Sequence, residues 1–251
     1  MLLEVDTVSK WFGGLQAVKD ATFGVPENQV TGLVGPNGAG KTTLFNMITG
    51  TIPTDAGSIT YEGRDITGDS PQGRVADGIG RTFQDVRLLP RLSVVDNVCL
   101  GVQKQPGERM RGVFFLPWKT MRAEQATVEY AHECLDFVGI RESVRHQSAG
   151  ALSYGEQKLV SIARLLATRS RLLLLDEPTS GLDETSLDQF REVLAKLIAD
   201  GRTVLLVEHN MLLVRELCHR AVFLGTGEVL AVDTPDKLME SEALRDVYFG
   251  A

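Results

Sequence analysis

Cysteine is scarce in this chain of 251 residues, and long hydrophobic runs are missing from it. The three cysteines, Cys99, Cys134 and Cys218, are far apart and odd in number, which argues against a disulfide framework or a cysteine-rich metal site. No apolar run approaches the ~20 residues of a membrane-spanning helix. The first residues also lack the basic region, apolar core and cleavage site of a secretory signal. We therefore expect a protein that stays in the cytosol and has no membrane span of its own.

Positive charge is in deficit as well. The chain carries 26 Lys and Arg residues against 33 Asp and Glu residues, a net charge of -7. Because nucleic-acid binding relies on a basic surface, no nucleic acid is expected among the partners. A hydrophobic fraction of 43% is typical of a soluble globular protein, and the length allows one large α/β domain or two small ones.

A glycine-rich stretch at residues 35–42 reads Gly-Pro-Asn-Gly-Ala-Gly-Lys-Thr. It fits the pattern G-x-x-x-x-G-K-[ST], in which backbone N–H groups converge on phosphate oxygens, the lysine reaches the outer phosphates and the hydroxyl binds Mg²⁺. Residues 30–34 predict a short buried strand before the loop, and residues 44–48 predict a helix after it. A turn that matches the pattern by chance would not need this strand and helix. The stretch therefore predicts a phosphate site at a helix N-terminus.

Strand signals dominate the N-terminal part of the chain. Residues 3–8 alternate between apolar and polar, residues 21–25 favour a strand, and residues 57–66 predict a hairpin about Glu62-Gly63. Together they predict an antiparallel sheet that flanks the phosphate loop.

An aromatic pair, Trp11 and Phe12, stands just before a glycine turn in this region. One of these rings could stack on a nucleobase, because every base has a π face. Packing of both rings in the core of the sheet is an equal alternative. Adjacent strand residues face opposite sides, so at most one ring is expected to reach a base.

Two further predicted strands end in residues that carry chemistry. Residues 172–175 are four leucines followed by Asp176 and Glu177, and residues 203–207 lead to His209. In parallel sheets, ligands bind beyond the carboxyl ends of the strands. Asp176 suits a Mg²⁺ ligand, Glu177 could orient or deprotonate the attacking water, and His209 could hydrogen-bond a γ-phosphate or hold the water in line.

Residues from about 98 to 158 are rich in helical signals, with Gly139 as a C-cap. Within them, residues 104–120 mix basic and apolar side chains. We interpret this segment as a loop folded back on its own helices, with a docking surface for a membrane partner as the alternative. Gln84, just ahead of the region, is placed like a hinge, and its amide could bind a metal or a water, although a solvated surface residue is the simpler interpretation.

Residues 152–157 lead into another predicted helix. Ser153 and Glu156 fit an ordinary capping box. The alternative is that this helix start binds a nucleotide phosphate presented by another chain. Asp183 precedes a further helix and could simply be its N-cap.

Taken in this order, the motifs resemble the ATP-binding subunit of ABC transporters over essentially the whole chain. The resemblance implies an α/β fold, a P-loop NTPase (RecA-like) core with an antiparallel β subdomain and an inserted helical subdomain. Residues 1–85 and 159–251 would form the catalytic core with its β subdomain. Residues 86–158 would form the helical subdomain, with an insertion near 104–120.

The resemblance also implies roles for individual residues. Residues 35–42 correspond to the Walker A loop, Gln84 to the Q-loop glutamine, residues 153–157 to the signature, residues 180–183 to the D-loop and His209 to the switch histidine. Glu177, His209 and Gln84 would be catalytic, while Thr42, Gln84 and Asp176 would hold Mg²⁺. The residues expected to bind ATP are Phe12, Gly35, Pro36, Asn37, Gly38, Ala39, Gly40, Lys41, Thr42, Thr43, Ser153, Gly155, Glu156 and Asp183.

The signature departs from the general family form at Tyr154, where glycine is usual, and at Glu156, where glutamine is usual. A carboxylate beside a phosphate would repel it, so Glu156 is expected to point away or to pair. Tyr154, the Phe12-Gly13-Gly14 opening, the insertion and the Tyr248-Phe249-Gly250 ending resemble the branch that serves branched-chain amino acid uptake. Related subunits for urea, amides or aromatic acids look much alike.

The resemblance implies partners too. ATP and Mg²⁺ would lie on the phosphate loop of one chain and be covered by the Ser153 helix start of a second ABC ATPase chain, the same chain or a paralogue. Transmembrane permease subunits and a substrate-binding protein would complete the complex, with this chain peripheral at the cytoplasmic face of the inner membrane.

Three other classes fit less well. A small-molecule kinase would have no use for residues 152–157. Soluble ABC ATPases of repair or translation usually resemble tandem domains or carry long coiled-coil insertions. A non-catalytic ATP-binding regulator would be expected to lack Glu177 or His209.

Overall fold

The computed structural model of the chain describes residues 1–82, 86–103, 117–242 and 244. Its strands are β1 Leu3–Phe12, β2 Leu15–Val25, β3 Val30–Val34, β4 Ala56–Tyr61, β5 Arg64–Asp65, β6 Ile79–Arg81, β7 Leu172–Asp176, β8 Thr203–Val207, β9 Arg220–Gly225 and β10 Glu228–Asp233. Its helices are α1 Lys41–Ile48, α2 Pro71–Ala76, α3 Val94–Cys99, α4 Pro117–Phe137, α5 Tyr154–Leu166, α6 Glu184–Ala199, α7 Met211–Leu217 and α8 Pro235–Glu240. Short 3₁₀ turns lie at Glu142–Val144 and Ala149–Ala151.

The central sheet has the order β10-β9-β3-β8-β7-β6. All neighbours from β9 to β6 run parallel, and β10 closes one edge as an antiparallel strand. The strands β3, β7 and β8 are buried along their whole length, as expected for apolar runs that are covered on both faces of a parallel sheet. Their carboxyl ends lie at one edge, which brings the phosphate loop, Glu177 and His209 to the same side of the sheet.

A second sheet, in the order β2-β1-β4-β5, is antiparallel. Its β4–β5 turn places Glu62 at φ 50 and Gly63 at φ 77, the positive values that a tight hairpin of this kind requires. The strands β1 and β2 are longer than the sequence predicts and pair as far as Phe12 and Leu15. Register shifts after Val5, Val8 and Lys10 break the simple alternation, which is why the pattern alone ends too early.

One apolar core joins the two sheets and α1. It is built from side chains of β1, β2, β4, α1 and the parallel strands, among them Val5, Val8, Phe23, Leu44, Phe45, Ile48, Ile59, Leu174, Leu205 and Val222. This packing holds α1, and with it the phosphate loop, against the sheet.

The chain divides into two compact units. The first comprises Met1–Gln84, Arg171–Thr179 and Leu194–Ala251, and the second Asp85–Ser170 and Ser180–Val193. In the second unit α3 packs on α4 and α5, and α4 packs on α5. The division predicted from the sequence differs at residues 159–170 and 180–193, which it placed in the catalytic core. Residues 159–166 belong with the second unit because α5 is one continuous helix whose partners are α3 and α4.

The fold class is confirmed, an α/β P-loop core with an antiparallel sheet and a helical unit. In the part of the chain that the structure describes, no helix has the length and apolarity to cross a bilayer.

Candidate nucleotide-binding site

The phosphate loop connects β3 to α1 with the conformation that its glycines permit. Gly35 has φ +153, and a Cβ there would lie 2.0 Å from the Leu224 carbonyl oxygen. Gly40 has φ +95 and would place a Cβ 2.4 Å from the Ala17 carbonyl oxygen. Gly40 is also the N-cap of α1 and brings no side chain, so it leaves the first N–H groups of that helix to other acceptors. Such a helix start is suited to an anion.

Lys41 is buried at the base of this loop. Its Nζ donates hydrogen bonds to the carbonyl oxygens of Gly35 at 2.6 Å and Pro36 at 2.9 Å. Burial lowers the pKa of Lys41 below its ordinary value, and the Glu177 carboxylate partly opposes this effect. The ammonium is therefore held at the loop itself, on a flexible stem that can reach a phosphate.

A cavity of about 430 Å³ opens beside the loop, and every residue that lines it belongs to the first unit. This volume falls within the range of small-molecule sites. From the predicted set, the lining residues are Phe12, Asn37, Gly38, Ala39, Gly40, Lys41, Thr42, Thr43 and Glu177. An aromatic ring, a loop of N–H groups, an ammonium and a carboxylate thus share one space.

The positions of Trp11 and Phe12 decide between the two alternatives for the aromatic pair, packing in the sheet core or exposure toward a ligand. Trp11 is 42% exposed and Phe12 48% exposed, so neither ring is buried in the sheet core. Phe12 lines the cavity. Asp55 holds this end of β1, because its carboxylate accepts hydrogen bonds from Lys10 Nζ at 2.7 Å and from the Trp11 N–H at 2.8 Å.

Asp176 ends β7 and is buried. Its Oδ2 accepts a hydrogen bond from Arg81 Nη2 at 2.9 Å in an ion pair whose side chains are 13% and 6% exposed. Its own N–H donates to Thr82 Oγ1 at 3.3 Å. Sequence reasoning did not identify Arg81, because nothing local indicates that the end of β6 faces the end of β7.

Glu177 follows Asp176 in a left-handed backbone conformation, with φ 44. Its N–H donates to the Val207 carbonyl oxygen at 3.1 Å, which ties it to the end of β8. Its Oε1 lies 3.9 Å from Nδ1 of His209, whose side chain is 57% exposed. The structure thus brings together the carboxylate and the imidazole that the sequence placed at the ends of two strands.

The donor atoms fit a magnesium nucleotide. Thr42 offers a hydroxyl and Asp176 a carboxylate, the hard oxygen donors that Mg²⁺ prefers. Among the described residues, no group of three His, Cys, Asp or Glu side chains could hold a metal alone. A site with so few protein ligands suits Mg²⁺ that arrives with substrate phosphates. Gln84, the third predicted ligand, lies outside the described residues, as do residues 104–116 of the predicted insertion.

Glu208 is a buried acid that sequence reasoning overlooked. It is 1% exposed, and its Oε1 accepts hydrogen bonds from the Thr179 N–H at 3.3 Å and from the Thr179 hydroxyl. Its Oε2 is buried without a hydrogen-bond partner. Burial raises the pKa of Glu208, and the bonds from Thr179 offset this only in part.

The signature residues lie in the second unit, and the predicted capping box is present. Ser153 Oγ accepts a hydrogen bond from the Glu156 N–H, and Glu156 Oε2 accepts from the Ser153 N–H at 3.0 Å and from its hydroxyl at 2.9 Å. Burial raises the pKa of Glu156, but the hydrogen bonds from Ser153 and Arg141 outweigh it and leave the pKa below its usual value. Glu156 therefore pairs with Ser153 and Arg141, one of the two arrangements that the sequence analysis expects.

Gly155 and Asp183, which are also predicted to bind ATP, make contacts within the second unit. A Cβ on Gly155 would lie 2.2 Å from Ser186 Oγ, so close packing already requires a glycine there. A Cβ on Gly181 would lie 3.1 Å from Cε1 of Tyr154, which places the tyrosine ring against the D-loop turn. Asp183 accepts a hydrogen bond from the Ser186 N–H at 2.8 Å, the N-cap role that the sequence offered as an alternative.

The order of strand, glycine loop and helix, with two acids at the end of a parallel strand on the same edge, defines a P-loop NTPase. Residues 18–180 match the family model described as ABC transporter. The chain belongs to the ABC transporter family, as an ATP-binding subunit with ATPase activity.

Two curated relatives are similar over nearly the full chain. The high-affinity branched-chain amino acid transport ATP-binding protein BraF of Pseudomonas aeruginosa is 36% identical, over 99% of this chain and 98% of that protein. The lipopolysaccharide export system ATP-binding protein LptB of Haemophilus influenzae is 32% identical, over 99% of this chain and 97% of that protein.

Solved structures agree with the fold. A nucleotide-free ATP-binding cassette from an ABC transporter matches with a TM-score of 0.87 and 29% identity, over 100% of this chain and 99% of that one. The ADP conformation of an ABC transporter cassette matches at 0.85 and 28%, over 100% and 99% of the two chains. A dimeric structure of a bacterial ABC transporter cassette matches at 0.76 and 27%, over 93% and 98%.

Proposed function

We propose that this chain is the ATP-hydrolysing motor of an importer for branched-chain or related amino acids. The observation that carries the chemical part is that Glu177 and the phosphate loop line one cavity, with His209 3.9 Å from Glu177. Hydrolysis of a phosphoanhydride requires this combination, a phosphate cradle and a group that orients the attacking water.

Each predicted site residue of the first unit that is named below has a role in ATP binding or hydrolysis in this proposal. The loop N–H groups and Lys41 bind the phosphates, and Phe12 stacks on the adenine. Thr42 and Asp176, with Gln84, hold Mg²⁺, which when bound neutralises charge on the phosphates. Glu177 orients or deprotonates the water, and His209 supports it in line.

Two chains are proposed to act together. Ser153, Gly155, Glu156 and Asp183 lie in the second unit, and the described cavity beside the phosphate loop is lined by residues of the first unit. We infer that they meet the nucleotide of a second copy or a paralogue, as the dimeric state of one similar cassette supports. Hydrolysis then opens the pair, and permease subunits at the cytoplasmic face of the membrane receive the motion.

The cargo rests on similarity. The relative BraF is named for branched-chain amino acid transport, which supports amino acid import as the task of this chain. The relative LptB is named for lipopolysaccharide export and makes an export motor the second candidate. Purification of the chain from membranes with its partners, followed by their identification, separates the two. Recovery of a permease with a periplasmic amino-acid-binding protein supports import, and recovery of a lipid-export complex contradicts it.

The hydrolytic assignment is tested by Glu177→Gln and Lys41→Ala, with Glu240→Gln as the matched control at an exposed position of α8. Glu177→Gln keeps the shape but loses the base, so ATP binding and an ATP-dependent dimer should persist while phosphate release is abolished. Lys41→Ala should lose nucleotide binding. Near-normal phosphate release by Glu177→Gln, or unchanged ATP affinity of Lys41→Ala, would contradict the assignment.

A further inference from the structure

Arg81 joins two elements of the site, the strand β7 and the helix α1, by polar contacts. It is the last residue of β6, and its guanidinium is a planar fork with several donors in fixed directions. One end donates to Asp176 Oδ2 at 2.9 Å. The other donates to Asn46 Oδ1 on α1. The same side chain therefore touches the strand that carries the acid and the helix that follows the phosphate loop.

Asn46, the α1 residue to which Arg81 donates a hydrogen bond, lies on the same face of the helix as Thr42. Asn46 lies four residues after Thr42, and residues at this spacing lie on the same face of an α-helix. Thr42 and Asp176 are the two described residues assigned to Mg²⁺. Arg81 thus spans from the carboxylate to the helix face that bears the hydroxyl.

Low solvent exposure and a contact with a buried aromatic ring restrain the Arg81 side chain. The side chains of Arg81 and Asp176 are 13% and 6% exposed, so the pair is little screened by solvent. The guanidinium carbon also lies 4.9 Å from the centre of the Phe45 ring, which is fully buried in α1. The charge-assisted bond to Oδ2 restrains the orientation of the Asp176 carboxylate.

We propose that Arg81 is a positioning residue for the magnesium nucleotide, which fixes the Asp176 carboxylate relative to the Thr42 face of α1. The inference rests on the proposed assignment of Asp176 to Mg²⁺. Groups that orient metal ligands from outside typically change metal affinity by about 10- to 100-fold when they are removed.

A purely electrostatic account predicts the opposite sign. A guanidinium near Mg²⁺ repels it, so on charge alone the loss of Arg81 would strengthen Mg²⁺ binding. On the positioning account the same loss weakens binding, because Asp176 is then free to turn away. The direction of the change decides between them.

The experiment measures the affinity of the full-length protein for a fluorescent ATP analogue, once with Mg²⁺ and once with EDTA. The ratio of the two affinities is the gain from the metal. Arg81→Met should reduce this gain about tenfold while the affinity in EDTA stays within about twofold of the parent. Arg81→Lys keeps the charge but lacks the planar fork that donates to Asp176 and Asn46 at the same time. It should therefore lose part of the gain from Mg²⁺. Asn46→Ala leaves the ion pair intact and removes one of the two hydrogen bonds from Arg81 Nη1 to the α1 segment, the other being to Thr49 Oγ1 at 3.4 Å, so it should also lose part of the gain.

The outcomes separate the inference from the proposed function. Asp176→Asn serves as the reference: if it keeps the full gain from Mg²⁺, the metal assignment itself fails. If Asp176→Asn loses the gain but Arg81→Met and Asn46→Ala keep it, the positioning role fails. A gain that rises in Arg81→Met, or that is fully restored by Arg81→Lys, also overturns it. If Arg81→Met does not fold, as melting in EDTA would reveal, Asn46→Ala carries the test.

Discussion

Replacement of Gly40 by alanine is a sharp test of the phosphate-loop geometry, because the loop offers its own control at Gly38. Both glycines have left-handed backbones, with φ +95 and φ +80. An alanine at either position meets the same backbone penalty, about 1–2 kcal/mol. The surroundings differ, because a Cβ on Gly40 would lie 2.4 Å from the Ala17 carbonyl oxygen, whereas a Cβ on Gly38 has no atom within 4 Å.

The overlap at Gly40 is with backbone, so β2 or the loop must move. Forced shifts of this kind cost about 1–3 kcal/mol. Gly40→Ala should therefore lose about 2 kcal/mol more stability than Gly38→Ala. For a chain of this size, that difference corresponds to a Tm about 4–8 °C lower.

The assay is thermal and urea unfolding of both variants without nucleotide, in EDTA, so that lost ligand binding does not contribute. Equal losses in the two variants would show that Gly40 is not packed against Ala17 as described. A Gly40→Ala variant with parental stability would also refute the left-handed conformation of the loop.

Two further predictions concern the signature and the buried acid. Ser153→Ala and Ser93→Ala each remove a helix N-cap and should each lower the free energy of unfolding in urea by about 1 kcal/mol. Only Ser153→Ala should lower ATPase activity. Equal ATPase activities of the two variants would contradict a role of Ser153 in nucleotide binding. Burial raises the pKa of Glu208 in the folded state, so its contribution to stability is present below the unfolded pKa and is lost as the pH rises through the folded pKa. The free energy of unfolding of Glu208→Gln and of the parent is compared by urea unfolding between about pH 5 and pH 8. The variant should gain stability relative to the parent toward high pH. Parallel curves of this free energy against pH would contradict a raised pKa of Glu208.

The parts of the fold that the sequence predicts well are those with a simple local cause. The parallel strands β7 and β8 follow from runs of four apolar residues, β3 from a short, mostly apolar segment, and the β4–β5 hairpin from Glu62-Gly63, because each needs only its own residues. Helix α7 is missed because it is short and its start depends on a single cap, Asn210 Oδ1, which accepts from the Leu212 and Leu213 N–H groups. An asparagine at that position is a usable signal, and it predicts the helix when it is read as a cap rather than as a strand end.

The candidate site is predicted where motifs occupy one loop or one strand end, and missed where partners come from afar. Arg81 and Asp176 are 95 residues apart in sequence, and Glu208 and Thr179 are 29 apart. No local pattern links such pairs, since their contact depends on the order of strands in the sheet. The pairing of Glu156 with Arg141, 15 residues earlier, is also non-local and depends on how the segment before α5 folds back on that helix.

The left-handed backbone of Glu177 has a consequence for how this protein can be altered. A residue with a side chain at φ 44 carries a local conformational cost of about 1 kcal/mol, which glycine avoids and asparagine or aspartate lessens. A library screened for heat resistance alone would therefore drift toward these three residues at position 177. Enrichment for turnover would pull the same position back to glutamate, so the two selections would disagree at the residue where the chemistry is centred.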